Sequence, residues 1–216
     1  MNQDLAQIVT YYATKSHKEL NELLLNKSKD NLISNLTDLL TAYINDKNSS
    51  SLREFVTVSI AGYEHNPQKL GYNGFKQSSP IGGKAIACEA KPKNIQTDGY
   101  DKKVIKPKLN GEGGFNDYTY ERFEKDAKEN LHILTSGFID GELQYILEFS
   151  FSAIYERLKL QVPENRTIGT YTRMAKFNFS HYKDHYSLKI TYANKLSIEK
   201  NKKYFNKSLY SFLINE

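Results

Sequence analysis

The stretch Lys84-Ala85-Ile86-Ala87-Cys88-Glu89-Ala90-Lys91 decides how the rest of the chain is read. Ala85 to Cys88 form a short apolar run that ends in two opposite charges spaced two apart. Such a run predicts a buried strand, stopped at Pro92 because proline has no N–H for a sheet ladder. Residues two apart on a strand share a face, so Glu89 and Lys91 emerge side by side from a core element. Glu89 there can hold a divalent cation, with the backbone carbonyl of Ala90 contributing, while Lys91 sits beside the same centre. Phosphodiester hydrolysis needs that combination of metal and cation. Glu-x-Lys alone is also common on solvated strands, so its surroundings must decide.

Upstream, residues 3–45 repeat apolar side chains at three- and four-residue steps (Leu20, Leu23, Leu24, then Leu32, Ile33, Leu36, Leu39, Leu40, Tyr43). This predicts two helices separated by the polar break Asn26 to Asp30. A turn follows at Asn45 to Ser51, with Ser50 or Ser51 as a cap. Arg53 to Tyr63 is β-branched enough to predict a strand, with a short helix at Leu52–Ser59 as the alternative. His65 to Gly83 reads as loop, with a short strand near Tyr72–Lys76.

Downstream, residues 94–114 form a long polar loop, and loops of that length are usually functional or mobile. A helix is predicted from Thr119 to Leu131, capped by Asp117 or Thr119, with acids in its early turns. Gly137 and Asp140-Gly141 mark a turn into the strand Leu143–Phe151. A helical piece follows at Ala153–Leu160, closed by Pro163. Met174–His181 and Tyr186–Tyr192 read as paired strands around a turn at His181–His185, and Ser197–Leu213 as a helical tail. The expectation is an α/β fold with a central mixed sheet flanked by helices, in a single domain over 1–216. Its parts are a helical segment at 1–50, a core at 52–151 and a basic region at 152–216.

Composition excludes some classes. The 216 residues are 39% hydrophobic and 12% aromatic, enough for a packed core. No apolar run approaches the ~20 residues of a membrane helix. The start, MNQDLAQIVTYYATK, lacks a basic stretch followed by an apolar block, and the single Cys88 makes no internal disulfide. A soluble, cytoplasmic protein is expected. The net charge of +5 is unevenly spread. Residues 1–83 hold 8 basic and 8 acidic side chains, 84–108 hold 7 and 3, 109–165 hold 5 and 11, and 166–207 hold 10 and 2. Two basic stretches around an acidic centre suit a protein that grips a polyanion, although a lysine-rich solvated surface gives the same count.

The strand ending in Glu89-Ala90-Lys91, preceded by Gly71-Tyr72-Asn73-Gly74-Phe75 and followed by a helix and another strand, resembles the PD-(D/E)xK nuclease superfamily. It is most similar there to the type II restriction endonucleases, over roughly residues 52–151. The resemblance implies a Mg²⁺-dependent, sequence-specific endonuclease acting on double-stranded DNA as a homodimer. It makes Glu89 a metal ligand and Lys91 the catalytic lysine. The Asp of the family pattern is absent, since no Asp lies between Asp46 and Asp98, and Asn73 holds the position that resembles it. Three explanations are open: Asn73 is an engineered Asp→Asn change, Glu64 supplies the carboxylate, or the site is naturally degenerate and the protein binds without cutting. Glu54, if Leu52–Ser59 is a helix facing the site, would be an additional carboxylate.

Other residues carry competing readings. Lys93, Lys102, Lys103, Lys106 and Lys108 follow the site strand and would lie against DNA, or else form an ordinary flexible insertion. Arg166, Arg173 and Lys176 belong to the second basic stretch, where an Arg suits guanine readout. His181-Tyr182-Lys183-Asp184-His185 reads as a polar hairpin turn or as phosphate and base contacts through His181 and Lys183. Two further readings are metal ligation by His181, His185 and Asp184 and a metal-independent acid–base pair of His181 and Asp184 acting on nucleic acid. Asp117 and Glu121 fit helix capping, Lys125 and Lys128 a solvated face or phosphate contacts, and Glu148 a paired core charge, an edge residue or an active-site carboxylate.

Overall fold

A computed structural model describes residues 3–45, 50–68, 71–78, 82–95, 97, 108–162 and 170–215. Lys102, Lys103, Lys106, Pro163 and Arg166 lie outside the described residues. The chain begins with three helices, α1 (Gln3–Thr14), α2 (His17–Leu25) and α3 (Lys29–Asn45). Sequence periodicity predicts two. The extra break lies at Ser16, whose hydroxyl accepts from the Glu19 N–H while Glu19 accepts from the Ser16 N–H. That capping box starts a new helix without any Gly or Pro.

The segment expected as a strand at Arg53–Tyr63 is instead helix α4 (Ser51–Ile60), the alternative reading. Its β-branched Val56, Thr57 and Val58 are buried, and tertiary packing overrides their weak strand preference. Ser50 occupies the cap position but makes no side-chain cap bond. Beyond it run β1 (Glu64–His65), β2 (Gly74–Lys76), β3 (Ile86–Ile95), β4 (Gly113–Thr119), α5 (Tyr120–Lys128), β5 (Leu131–Ile139) and β6 (Glu142–Ser150). A 3-10 turn (Phe151–Ile154) leads to α6 (Tyr155–Lys159), then β7 (Tyr171–Phe177), β8 (Lys189–Ala193), α7 (Lys195–Lys200) and α8 (Lys207–Asn215).

The fold is α/β. Six strands form one mixed sheet in the order β1-β2-β3-β5-β6-β8, in which only β3 and β5 are parallel, and β4 and β7 form a separate ribbon. The expected pairing of Met174–His181 with Tyr186–Tyr192 does not occur, because β7 pairs with β4 and β8 with β6. One face of the sheet packs on α1 and α4 through Leu5, Val9, Val58, Cys88, Leu134 and Ile146. The other face, with Ile133, Leu147 and Phe149, packs with Phe115 and Phe177 of the ribbon, Phe123 of α5 and Leu209 of α8.

Pro92 does not end β3, which continues to Ile95. The reason lies in the direction of its missing donor. The Cys88 carbonyl accepts from Asn73 and the Ala90 N–H donates to Asn73, so the even-numbered residues of β3 face the β2 edge. β2 pairs only as far as Cys88, so at Pro92 that edge has no ladder to lose a bond from. Gly137 likewise lies within β5 rather than in a turn, and the turn is Asp140-Gly141, both with positive φ. A Cβ at Gly137 would overlap the Tyr145 ring and come within 2.8 Å of Leu109 Cδ1. Gly137→Ala is therefore expected to cost about 1–3 kcal/mol, and thermal melting of the variant checks it. An unchanged midpoint would refute the tight packing.

Candidate functional site

Glu89 and Lys91 lie on the sheet face that looks toward α5 and the β4–β7 ribbon. Glu89 is only 7% exposed. Its Oε1 accepts from Lys91 Nζ at 2.8 Å and lies 3.5 Å from Arg122 Nη2. Its Oε2 is buried with no hydrogen-bond partner among the described residues. An unsatisfied buried carboxylate oxygen is costly, and its presence beside two cations marks a place for a further positive group. Lys91 is held from the other side by the Phe115 ring, 4.5 Å from its ammonium.

Asn73 sits beside this pair on the approach to β2. Its backbone N–H donates to the Cys88 carbonyl, its Oδ1 accepts from the Ala90 N–H at 2.8 Å, and its Nδ2 donates to Glu54 Oε2 at 3.3 Å. Asn73, Glu54 and the Ala90 backbone are thus brought together from α4, the β2 approach and β3, next to Glu89 along the strand. Glu64 is not part of this group: it is exposed on the outer strand β1, opposite Phe75 and two strands from β3. The Ala90 side chain is buried against the α1–α4 layer. Its carbonyl, like its N–H, faces the β2 edge where Asn73 stands.

From Lys91 a cleft of about 630 Å³ opens between α4, β3 and the ribbon. Lys93, Lys176, His181 and Arg157 line it, together with Glu54 and Glu112. Lys93 pairs with Glu112. Burial would raise the Glu112 carboxyl, but the hydrogen bonds from Lys93 and Asn110 outweigh it and hold the group below the usual range. His181 Nδ1 accepts from the Asn178 N–H at 3.0 Å. Lys183 and Asp184 line a different hollow with His185 and Lys189, and among the described residues no hydrogen bond or ion pair joins His181 to Asp184. Arg173 is exposed on β7. Lys108 is exposed beside the described end of its loop. Thr119 caps α5, accepting from the Arg122 N–H, while Asp117 lies in β4. Lys125 lies over the Tyr72 ring, and exposed Lys128 pairs with Glu124.

Sequence reasoning passed over Arg122 and Asp126. Arg122 is 42% exposed on its side chain and reaches Glu89 from the first turn of α5. Asp126, one turn on, is buried and accepts from the hydroxyls of Tyr118 at 2.7 Å and Tyr72 at 2.9 Å, with Arg122 Nε at 3.8 Å. Burial raises the Asp126 carboxyl above the usual range, and the two hydroxyls and Arg122 only partly offset it. The i,i+4 spacing of Arg122 and Asp126 was a legible helix pair; their nearness to Glu89 was not.

Among the described residues no three His, Cys, Asp or Glu side chains group as a metal cage. Mg²⁺ does not need one, because it keeps waters and binds through one or two carboxylates plus substrate phosphate. The free Glu89 Oε2, with the Ala90 carbonyl at the adjoining edge, fits that sparse set, and the neutral Asn73 weakens it. The chain matches no protein-family model and no curated protein. No helix among the described residues is long and apolar enough to cross a membrane.

Proposed function

We propose that this chain is a Mg²⁺-dependent, sequence-specific endonuclease for double-stranded DNA, as its resemblance to type II restriction endonucleases of the PD-(D/E)xK superfamily implies. One observation carries the reading: buried Glu89, with one carboxylate oxygen unpartnered among the described residues, is paired with Lys91, which lines a cleft together with Lys93, Lys176 and His181. Bound Mg²⁺ would supply an activated water and offset charge on the phosphate. Glu89 and the Ala90 carbonyl would hold it. Lys91 keeps an ammonium beside the attacked phosphorus, where it orients water and offsets developing charge. Arg122, already 3.5 Å from the same carboxylate oxygen, adds a second cation. Lys93, Lys176 and His181 position the backbone through phosphate contacts.

A second reading, a DNA-binding protein that does not cut, is favoured by Asn73. Its neutral amide satisfies both the Ala90 N–H and Glu54, where a carboxylate could bond only the first. The experiment compares cleavage of phage-length DNA in Mg²⁺ and in EDTA by this chain and by Asn73→Asp. Discrete fragments from either protein in Mg²⁺ alone support the nuclease. Intact DNA in every lane overturns it in favour of binding, and cleavage that persists in EDTA overturns the metal requirement.

Cutting both strands of a palindrome calls for two copies. We place the homodimer contact on α3, where Ile33, Leu36, Leu40 and Tyr43 are each 50–60% exposed. Their steps of three, four and three form one apolar seam of the kind that pairs helices. Wild type is expected to sediment at twice the chain mass of 24.9 kDa, and Leu36→Glu with Leu40→Glu at that mass. A wild-type monomer under DNA-binding conditions would refute the contact.

A further inference from the structure

The β4–β7 ribbon departs from strand alternation in a way that has a use. In a regular strand Phe115 and Tyr118, three apart, would face opposite sides. Both are buried and stack at 4.6 Å between centroids. Asp117 between them adopts φ +47°, a left-handed conformation that Asp tolerates better than most residues. That single residue turns the strand so that Asn116 and Asp117 both point outward. Opposite them on β7, Arg173 and Met174 are also exposed. The ribbon thereby buries an aromatic row and presents polar side chains.

The outer row is continuous with the candidate site. Behind it, on the inner row with Phe115, a Cβ on Gly113 would come within 2.9 Å of Lys91 Cγ, so the ribbon packs directly on that side chain. Gly114, Asn116, Met174 and Lys176 then line the cleft in paired register, Gly114 opposite Lys176 and Asn116 opposite Met174. Asn116 makes no side-chain hydrogen bond among the described residues, so its amide has both donor and acceptor to offer. The major groove of DNA, about 12 Å wide, admits a two-stranded ribbon, and an Asn amide there pairs with N6 and N7 of adenine. Lys176 has donors only and suits phosphate.

We infer that the β4–β7 ribbon enters the major groove and that Asn116 reads a base, with adenine preferred. The inference rests on the DNA reading above, so its test uses binding rather than cleavage. Full-length wild type, Asn116→Ala, Asn116→Asp and Lys176→Ala are each used to select bound duplexes from a randomised pool, in EDTA and again in Ca²⁺. Wild type is expected to enrich a motif containing adenine. Asn116→Ala should lose discrimination at one position of that motif by about 5- to 150-fold while keeping its salt dependence. Asn116→Asp, which exchanges the donor for an acceptor, should move that position away from adenine. Lys176→Ala should weaken all sequences alike and lower the salt slope by about one. An unchanged motif in both Asn116 variants overturns base reading by the ribbon but leaves DNA binding standing. Wild-type binding without any motif does the same, and no binding by wild type overturns the DNA reading itself.

Discussion

Glu148→Ala is expected to lower stability by about 3 kcal/mol, near the low end for breaking a buried charged network. Glu148 is 1% exposed on β6 and accepts from Tyr63 at 2.7 Å, Lys76 at 2.8 Å and His132 Nδ1 at 2.7 Å, with Lys189 3.2 Å from its second oxygen. It is a paired core charge, one of the readings its sequence position allowed. Removing it leaves two ammonium groups facing each other across a cavity. Their heads are partly exposed and can rehydrate, which keeps the cost from rising further. At this chain length the loss corresponds to a midpoint lower by about 6–12 °C. Glu148→Gln keeps the volume and one acceptor but not the charge, and should recover part of the loss. Melting curves within a degree of wild type for both variants would show that the network contributes nothing net.

The same group sets an expected acid sensitivity. Burial alone would raise the Glu148 carboxyl, but the hydrogen bonds from His132, Lys76 and Tyr63 outweigh it and hold the folded value well below the usual glutamate range. A carboxyl depressed on folding contributes stability that is present above its unfolded value, roughly 4.3. That contribution is lost as pH falls through this value toward the folded one. Asp126 has the opposite sign, since its folded value is raised; its penalty grows as pH rises through that value. The fall in midpoint between neutral pH and roughly pH 4 should therefore shrink in Glu148→Gln. An equal fall in the variant would assign the acid loss elsewhere.

What was legible in the sequence was local. The run Ala85–Cys88 ending in Glu89 and Lys91 predicts a core strand with two charges on one face, and β3 has that form. Thr119 predicts the start of α5 because its cap is a nearest-neighbour interaction. What failed depended on partners distant in sequence. The β-branched residues of α4 read as strand until the layer of α1 and the sheet is known, and Pro92 reads as a stop until β2 is seen to end at Cys88. Likewise β7 and β8 look like a hairpin, but each has a better partner more than forty residues upstream. At the candidate site Glu89 and Lys91 were found by spacing, and Asn73 through the resemblance to the nuclease pattern. Arg122 was not, because a lone Arg in a helix gives no sign of which strand it faces.

Asn73→Asp is the substitution expected to change function most. The new carboxylate would keep the bond from the Ala90 N–H, since Oδ1 already accepts there at 2.8 Å. Its second oxygen would stand where Nδ2 now donates to Glu54 at 3.3 Å, turning a hydrogen bond into a contact between like charges. Without metal this should lower the midpoint by about 2–8 °C, equivalent to about 1–2 kcal/mol at this size. A divalent cation that binds the folded site at a hundred times its dissociation constant returns about 2.7 kcal/mol, more than the loss. The variant should therefore melt below wild type in EDTA and recover in Mg²⁺, while wild type responds much less. Under the nuclease reading, cleavage should also rise by at least about 100-fold, the scale on which one electrostatic group at a reaction centre is felt. The two readouts separate two failures. Metal-dependent recovery without cleavage would mean that the three carboxylates bind a cation but the chain is not a nuclease. No recovery in Mg²⁺ would mean that Asn73, Glu54 and Glu89 do not form a cation site at all, and Asn73 would then serve only to tie α4 to β3.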